Sequence, residues 1–232
     1  MNPIILLHGS NQLIEKPSLS EGNIRNDYGR GFYCTEQEEM AREWACKNQK
    51  DGFVNRYELD PAGLQMLDLS DGSHTVLDWI AILLKNRTFR LSSPIAADAR
   101  DYLIRHFAPN TDGCDVIIGY RADDSYFQYA EAFLENTLPL RSLNRALRLG
   151  NLGMQTALVS EKAFSRLRFT KALPVDSRMY YPKFLERDSR ARKAYAEEIA
   201  RSRTYREDIF VLDILREEMD RNDPRIQRII SE

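Results

Sequence analysis

Cysteine is scarce in this chain. Cys34, Cys46 and Cys114 make an odd count with no CxxC pair, which argues against a disulfide framework and a structural zinc site. Histidine is as rare, and His8, His74 and His106 have no Cys or His at metal-ligand spacing, so no metal is expected. The longest apolar run, Trp79 to Leu84, falls far short of the roughly 18 residues a membrane span requires. Met1-Asn2-Pro3-Ile4 has neither a basic segment nor a small-residue cleavage site. No secretory leader is therefore expected, and the expectation is a cytoplasmic protein without membrane association. There is no GxSxG elbow, no GxxxxGK[ST] phosphate loop and no HExxH zinc helix. Gly29-Arg30-Gly31 lacks the third glycine of a dinucleotide fingerprint. Internal repeats and low-complexity runs are absent as well.

What is present suits a globular chain. Of 232 residues, 43% are apolar, too many for a disordered polypeptide and enough for a sizeable core. The net charge of −2 hides an asymmetry: Arg141 to Arg206 holds 16 Lys+Arg against 6 Asp+Glu. Such a tract either faces an anionic partner, nucleic acid included, or is a solvated helix face with internal ion pairs.

Local pattern predicts a mixed order of elements. Ile4-Ile5-Leu6-Leu7 reads as a strand ended by His8-Gly9-Ser10. Thr35 with Glu38 reads as a capping box opening a helix that buries Met40, Ala41, Trp44 and Ala45 and ends near Lys47. Strands are predicted at 53–59, 64–68, 114–120, 154–160 and 168–175. Helices are predicted at 73–85, 96–107, from Asp123 or Asp124 to about Glu135, at 143–147 and at 161–167. Beyond Pro174 the chain turns charged and helical over 180–203 and 208–219, and Pro224 opens a last short helix. The division is placed near Asp176: a domain over 1–175 and a helical extension over 176–232.

Taken singly, the polar residues of the strand ends are ordinary. His8 on an apolar strand is most often structural, Tyr33 a core aromatic, and Gln155 a surface polar residue. Cys34, next to Tyr33 on a strand, should point to the opposite face as a buried thiol. Trp44 reads as core.

Taken in order, they carry a resemblance. Leu6-Leu7-His8-Gly9-Ser10, Asn26-Asp27-Tyr28-Gly29-Arg30-Gly31-Phe32-Tyr33-Cys34-Thr35, Ala41-Arg42-Glu43-Trp44-Ala45, Asp115 to Gly119 with Ala122-Asp123-Asp124, and Gln155 to Ala163 resemble the ADP-ribosyltransferase superfamily. The likeness is to its bacterial branch with a His-Tyr-Glu-like triad, the DUF3990 family, and it covers roughly residues 3 to 173. It implies an α+β fold of two small packed β-sheets flanked by helices around a cleft for NAD, which is a substrate rather than a resident cofactor. The residue matching His8 would bond the adenosine ribose, and those matching Gly9 and Ser10 would clamp the nicotinamide carboxamide. Tyr33 would stack on nicotinamide, with Gly29, Gly31 and Phe32 shaping that segment. His8, Tyr33 and Gln155 would form the triad.

The third position departs from the pattern, since Gln155 stands where a Glu bonds the nicotinamide-ribose 2′-hydroxyl. A Gln accepts that bond but brings no negative charge. Glu131 and Glu161 are the carboxylates considered as helpers. The implied activity is mono-ADP-ribosylation of a protein or nucleic acid, as in bacterial toxins and defence effectors with a possible antitoxin partner. Two other readings stay open: a catalytically weak NAD-binding or sensing module, and an RNA 2′-phosphotransferase-like enzyme. For an anionic acceptor the candidate contacts are Arg187, Arg190, Arg192 and Lys193.

Overall fold

The computed structural model describes residues 2–122, 124–149, 153–201 and 205–231. They form an α+β fold with two small sheets. Strands β1 (Ile4–Ser10), β3 (Gly52–Leu59) and β7 (Leu167–Val175) make an antiparallel sheet in the order β1-β3-β7. Strands β2 (Phe32–Cys34), β6 (Met154–Leu158), β5 (Val116–Tyr120) and β4 (Met66–Asp68) make the second, in the order β2-β6-β5-β4, with β4 and β5 parallel. One backbone bridge, Leu7 with Thr35, joins β1 to the end of β2.

Strand alternation explains how the two sheets meet. Leu6 of β1, Tyr57 and Leu59 of β3, Phe32 and Cys34 of β2, Val116 of β5 and Leu158 of β6 bury against one another as a single apolar layer. The other face of the first sheet, with Leu7 and Val54, packs on helix α1 (Glu38–Cys46) through Ala41, Ala45 and Cys46. Helix α6 (Glu161–Ser165) is capped by Ser160 and adds Ala163 to the inter-sheet layer.

The remaining helices are α2 (Val76–Asn86), α3 (Pro94–Phe107), α4 (Asp124–Leu134), α5 (Leu140–Leu149), α7 (Ser177–Arg201), α8 (Val211–Arg216) and α9 (Pro224–Ser231). The helix α2 opens on a capping box between Thr75 and Asp78, and Trp79 meets the edge of Tyr126 at 4.4 Å.

The chain divides into two compact units that interleave in sequence. The first holds residues 1–68, 111–121 and 153–189, with both sheets and helix α1. The second holds 69–110, 122–152 and 190–232 and is helical. These units do not follow the 175/176 division: the first runs on to 189, and the second takes 69–110 and 122–152 from before it.

Several local expectations are corrected. Thr35 is no helix cap: α1 starts at Glu38 with Gln37 before it and no side-chain cap bond. Its backbone is tied to Leu7 in both directions, 2.8 and 2.9 Å, and its hydroxyl donates to Met154 O at 3.1 Å. Trp44 is half-buried, not core. The helix expected over 208–219 shrinks to α8. Asp123 as a helix start and Arg203 as a helix end lie outside the described residues. Among the described residues no helix is long and apolar enough to cross a membrane.

Candidate functional site

The predicted site residues of the first unit gather where β1, β2 and β6 run out. Along β1, Leu7 exchanges both backbone bonds with Thr35 on the edge turned away from β3. Alternation places the N–H and C=O of Gly9 on that same edge, one step past the bridge. No described residue bonds them there. The side-chain direction of Gly9 is closed instead: a Cβ would stand 1.9 Å from Ala41 O of α1. The glycine is thus required by helix packing, a cause that sequence pattern did not reveal. Ser10 follows, its hydroxyl accepting from Gln12 N at 3.1 Å.

His8 lies on the inter-sheet side of β1. Its ring stacks on Phe32 at 4.3 Å, and Nδ1 is 2.7 Å from Tyr33 O. A carbonyl only accepts, so Nδ1 carries the hydrogen and Nε2 is left with a lone pair. Burial holds the His8 pKa below the ordinary histidine value, with the Tyr33 carbonyl opposing and Lys47 reinforcing that shift. The ring is neutral at neutral pH. Phe32 is a core residue, edge-on to Tyr57 at 5.4 Å, and it acts as the floor beneath His8.

Tyr33 is half-buried between two buried neighbours, Phe32 and Cys34. Cys34 points into the inter-sheet layer as expected, where burial pushes its thiol far up. The Tyr33 hydroxyl donates to Gly29 O at 2.7 Å and accepts from Tyr28 N at 2.9 Å. The enclosing turn is closed by Gly29 N to Asn26 O at 3.0 Å, and Gly29 takes the left-handed φ of 78° that the turn requires. Tyr28 and Tyr33 lie nearly parallel, 8° apart in plane with centroids at 6.3 Å. Gly31 serves packing: a Cβ there would stand 2.7 Å from Leu158 O.

Gln155 belongs to the same sheet face as Tyr33, because Tyr33 pairs directly with Ala157, two residues along β6. It is buried, and Nε2 donates to Asp27 Oδ2 at 2.8 Å and to Tyr120 O at 3.3 Å. The Tyr28 hydroxyl donates to the same carbonyl at 2.6 Å. Sequence reasoning missed Asp27, Tyr28 and Tyr120 as members of this network. The available signal was Asp27-Tyr28 directly before Gly29, within the segment that carries the family resemblance but with no role assigned to either residue.

Neither Glu131 nor Glu161 is bonded to Gln155. Glu131, in the second unit, accepts from Arg90 N at 2.8 Å. Glu161 is exposed in the first turn of α6. Of the basic candidates, Arg187 pairs with buried Glu43 at 2.7 Å, while Arg190, Arg192 and Lys193 are exposed in the second unit. No group of three or more His, Cys, Asp or Glu among the described residues is placed to hold a metal ion.

Comparison with known families gives one match. The family model described as "Protein of unknown function (DUF3990)" aligns with residues 4–169, more than two thirds of the chain. The chain belongs to the DUF3990 family. The matched span takes in every residue of the candidate site described above, from His8 to Gln155, and stops within β7. Comparisons with curated proteins and with solved structures found no match.

Proposed function

We propose that this DUF3990 protein has an ADP-ribosyltransferase-like fold and is a mono-ADP-ribosyltransferase that takes NAD as substrate. The observation that carries the reading is the outer-edge N–H and C=O of Gly9, which no described residue bonds, beside a neutral, oriented His8. A carboxamide needs one donor and one acceptor in a line, and the N–H and C=O of a strand edge offer that pair. His8 Nε2 accepts from a ribose hydroxyl. The Tyr33 ring, fixed through its hydroxyl, offers a flat face for the nicotinamide. Gln155 Oε1 accepts from the 2′-hydroxyl of the nicotinamide ribose.

In the reaction the C1′–N bond to nicotinamide breaks and its electron pair leaves with the ring nitrogen. The sugar passes through an oxocarbenium-like state, and an acceptor nucleophile attacks C1′ and gives up its proton. Fixed groups aimed at the developing positive charge lower that barrier most. A second reading, an NAD-binding module with weak turnover, is favoured by one observation: Gln155 is uncharged.

The test is incubation of the protein with NAD labelled in its adenylate half and a cell lysate. Nicotinamide release is measured, and protease and nuclease digestions are run separately. The expected result is release together with label on a macromolecule, the digestion separating protein from nucleic acid. NAD binding without nicotinamide release favours the second reading, and no binding at all sinks both.

A further inference from the structure

We infer that Asp27 is a positioning carboxylate that works through Gln155, the two together doing what a single glutamate would do at the third triad position. The inference rests on the transferase reading above. Asp27 is 6% exposed and Gln155 4%. A carboxylate that deep in a protein needs a polar partner, and Gln155 Nε2 at 2.8 Å is one. Both atoms that face the amide nitrogen, Asp27 Oδ2 and Tyr120 O, are pure acceptors. The amide therefore has one orientation: NH₂ toward Asp27, Oε1 away from it.

Two consequences follow for a cation forming at Oε1. The carboxylate polarises the amide through its N–H, which makes Oε1 a stronger acceptor. Its own charge also lies one amide group away in a poorly screened interior, where Coulomb attraction reaches further than in water. The placement is rigid. Asp27 sits in the Asn26–Gly29 turn, whose next two residues hold the Tyr33 hydroxyl. The stacking ring and the carboxylate thus ride on one turn.

The test is steady-state nicotinamide release by three proteins whose folding is checked by thermal melting: wild type, Asp27→Asn, and the exchange Asp27→Asn with Gln155→Glu. The Asp27→Asn change keeps an oxygen for the Gln155 amide and removes the charge. Its kcat should fall about tenfold or more, with KM changed by less than about twofold, as expected for a group acting in the transition state. The exchange returns one carboxylate and one amide to the pair, and should restore kcat to wild type or above.

Wild-type kcat in Asp27→Asn overturns the inference and leaves the transferase reading standing. So does a folded exchange variant as slow as Asp27→Asn, because charge would then be irrelevant. If Asp27→Asn does not fold, the exchange variant carries the test alone, and a folded exchange below about a tenth of wild-type kcat overturns the inference. Absence of nicotinamide release by the wild type overturns the transferase reading and this inference with it.

Discussion

At the β1 end of the site, the backbone of Gly9 meets no described partner on its outer edge, and His8 keeps one ring nitrogen free of its Tyr33 bond. At the β6 end, Asp27, Tyr28, Tyr33, Tyr120 and Gln155 are hydrogen-bonded to one another or through a shared carbonyl. The first end is rigid because of what packs behind it, namely α1 against Gly9 and Phe32 under His8. The second is rigid because its own polar groups satisfy each other. Damage to the first should appear in packing or in binding, whereas damage to the second should couple stability to turnover.

The sharpest way to break that contrast is Gly9→Ala. Its Cβ would meet a helix backbone carbonyl at 1.9 Å, which cannot swing aside as a side chain would. We expect a loss of about 3 kcal/mol, the upper end for overpacking, read from urea unfolding. An unchanged midpoint would show that α1 does not brace this strand.

Next in size is Tyr33→Phe, which keeps the ring and deletes a hydroxyl bonded to Tyr28 N and Gly29 O. Leaving those groups unpaired should cost ~1–3 kcal/mol of stability, with NAD affinity reduced little. Tyr33→Ala should additionally weaken NAD binding by about 0.5–1.5 kcal/mol for the lost stacking face. Calorimetry showing equal NAD affinity in wild type and a folded Tyr33→Ala would remove Tyr33 from the nicotinamide position.

A smaller effect is expected from pH. Burial lowers the folded pKa of His8 below the unfolded value of 6.5, so between the two values the unfolded chain binds the extra proton. Stability should be flat above that range and fall as pH drops below about 6.5. His8→Gln should flatten this slope in denaturant titrations at several pH values. A wild-type minus His8→Gln difference of opposite sign would mean that His8 is charged in the folded protein.

Least affected should be NAD cleavage when Arg190, Arg192 and Lys193 are reversed to Glu, since all three are exposed and none is among the proposed NAD contacts. If they guide a nucleic-acid acceptor, its labelling should fall with salt at a log–log slope of about −0.7 per phosphate contact on a single strand. Wild-type labelling by the reversed protein would leave the tract a solvated face. Arg187 is kept out of this test because Glu43 holds it.

What the chain order made legible was local. The branched run before His8-Gly9-Ser10 and the return of aromatics at Phe32-Tyr33 mark strand ends without reference to distant residues, and both are strands in the structure. The two-sheet α+β class came from the family resemblance rather than from local pattern, and the structure has two small sheets among helices. Features set by remote partners were not legible. Thr35 has the local signature of a helix cap, yet its backbone pairs with Leu7, and a strand bridge with both bonds made outcompeted a cap. Asp27 has no legible role until β6 brings in Gln155, 128 positions later. The two units escaped the reading because their segments alternate along the chain.

The bridge between Leu7 and Thr35 also makes a built-in clock. Its two amides, 2.8 and 2.9 Å from their acceptors, are the backbone link from β1 to the end of β2, whereas amides within each sheet sit in longer ladders. Any parting of the strands at that point exposes these two protons to solvent while the ladders stay closed. Their deuterium uptake therefore times the opening of the site in the resting protein. A ligand spanning the Gly9 edge and Tyr33 would slow that uptake at both positions together.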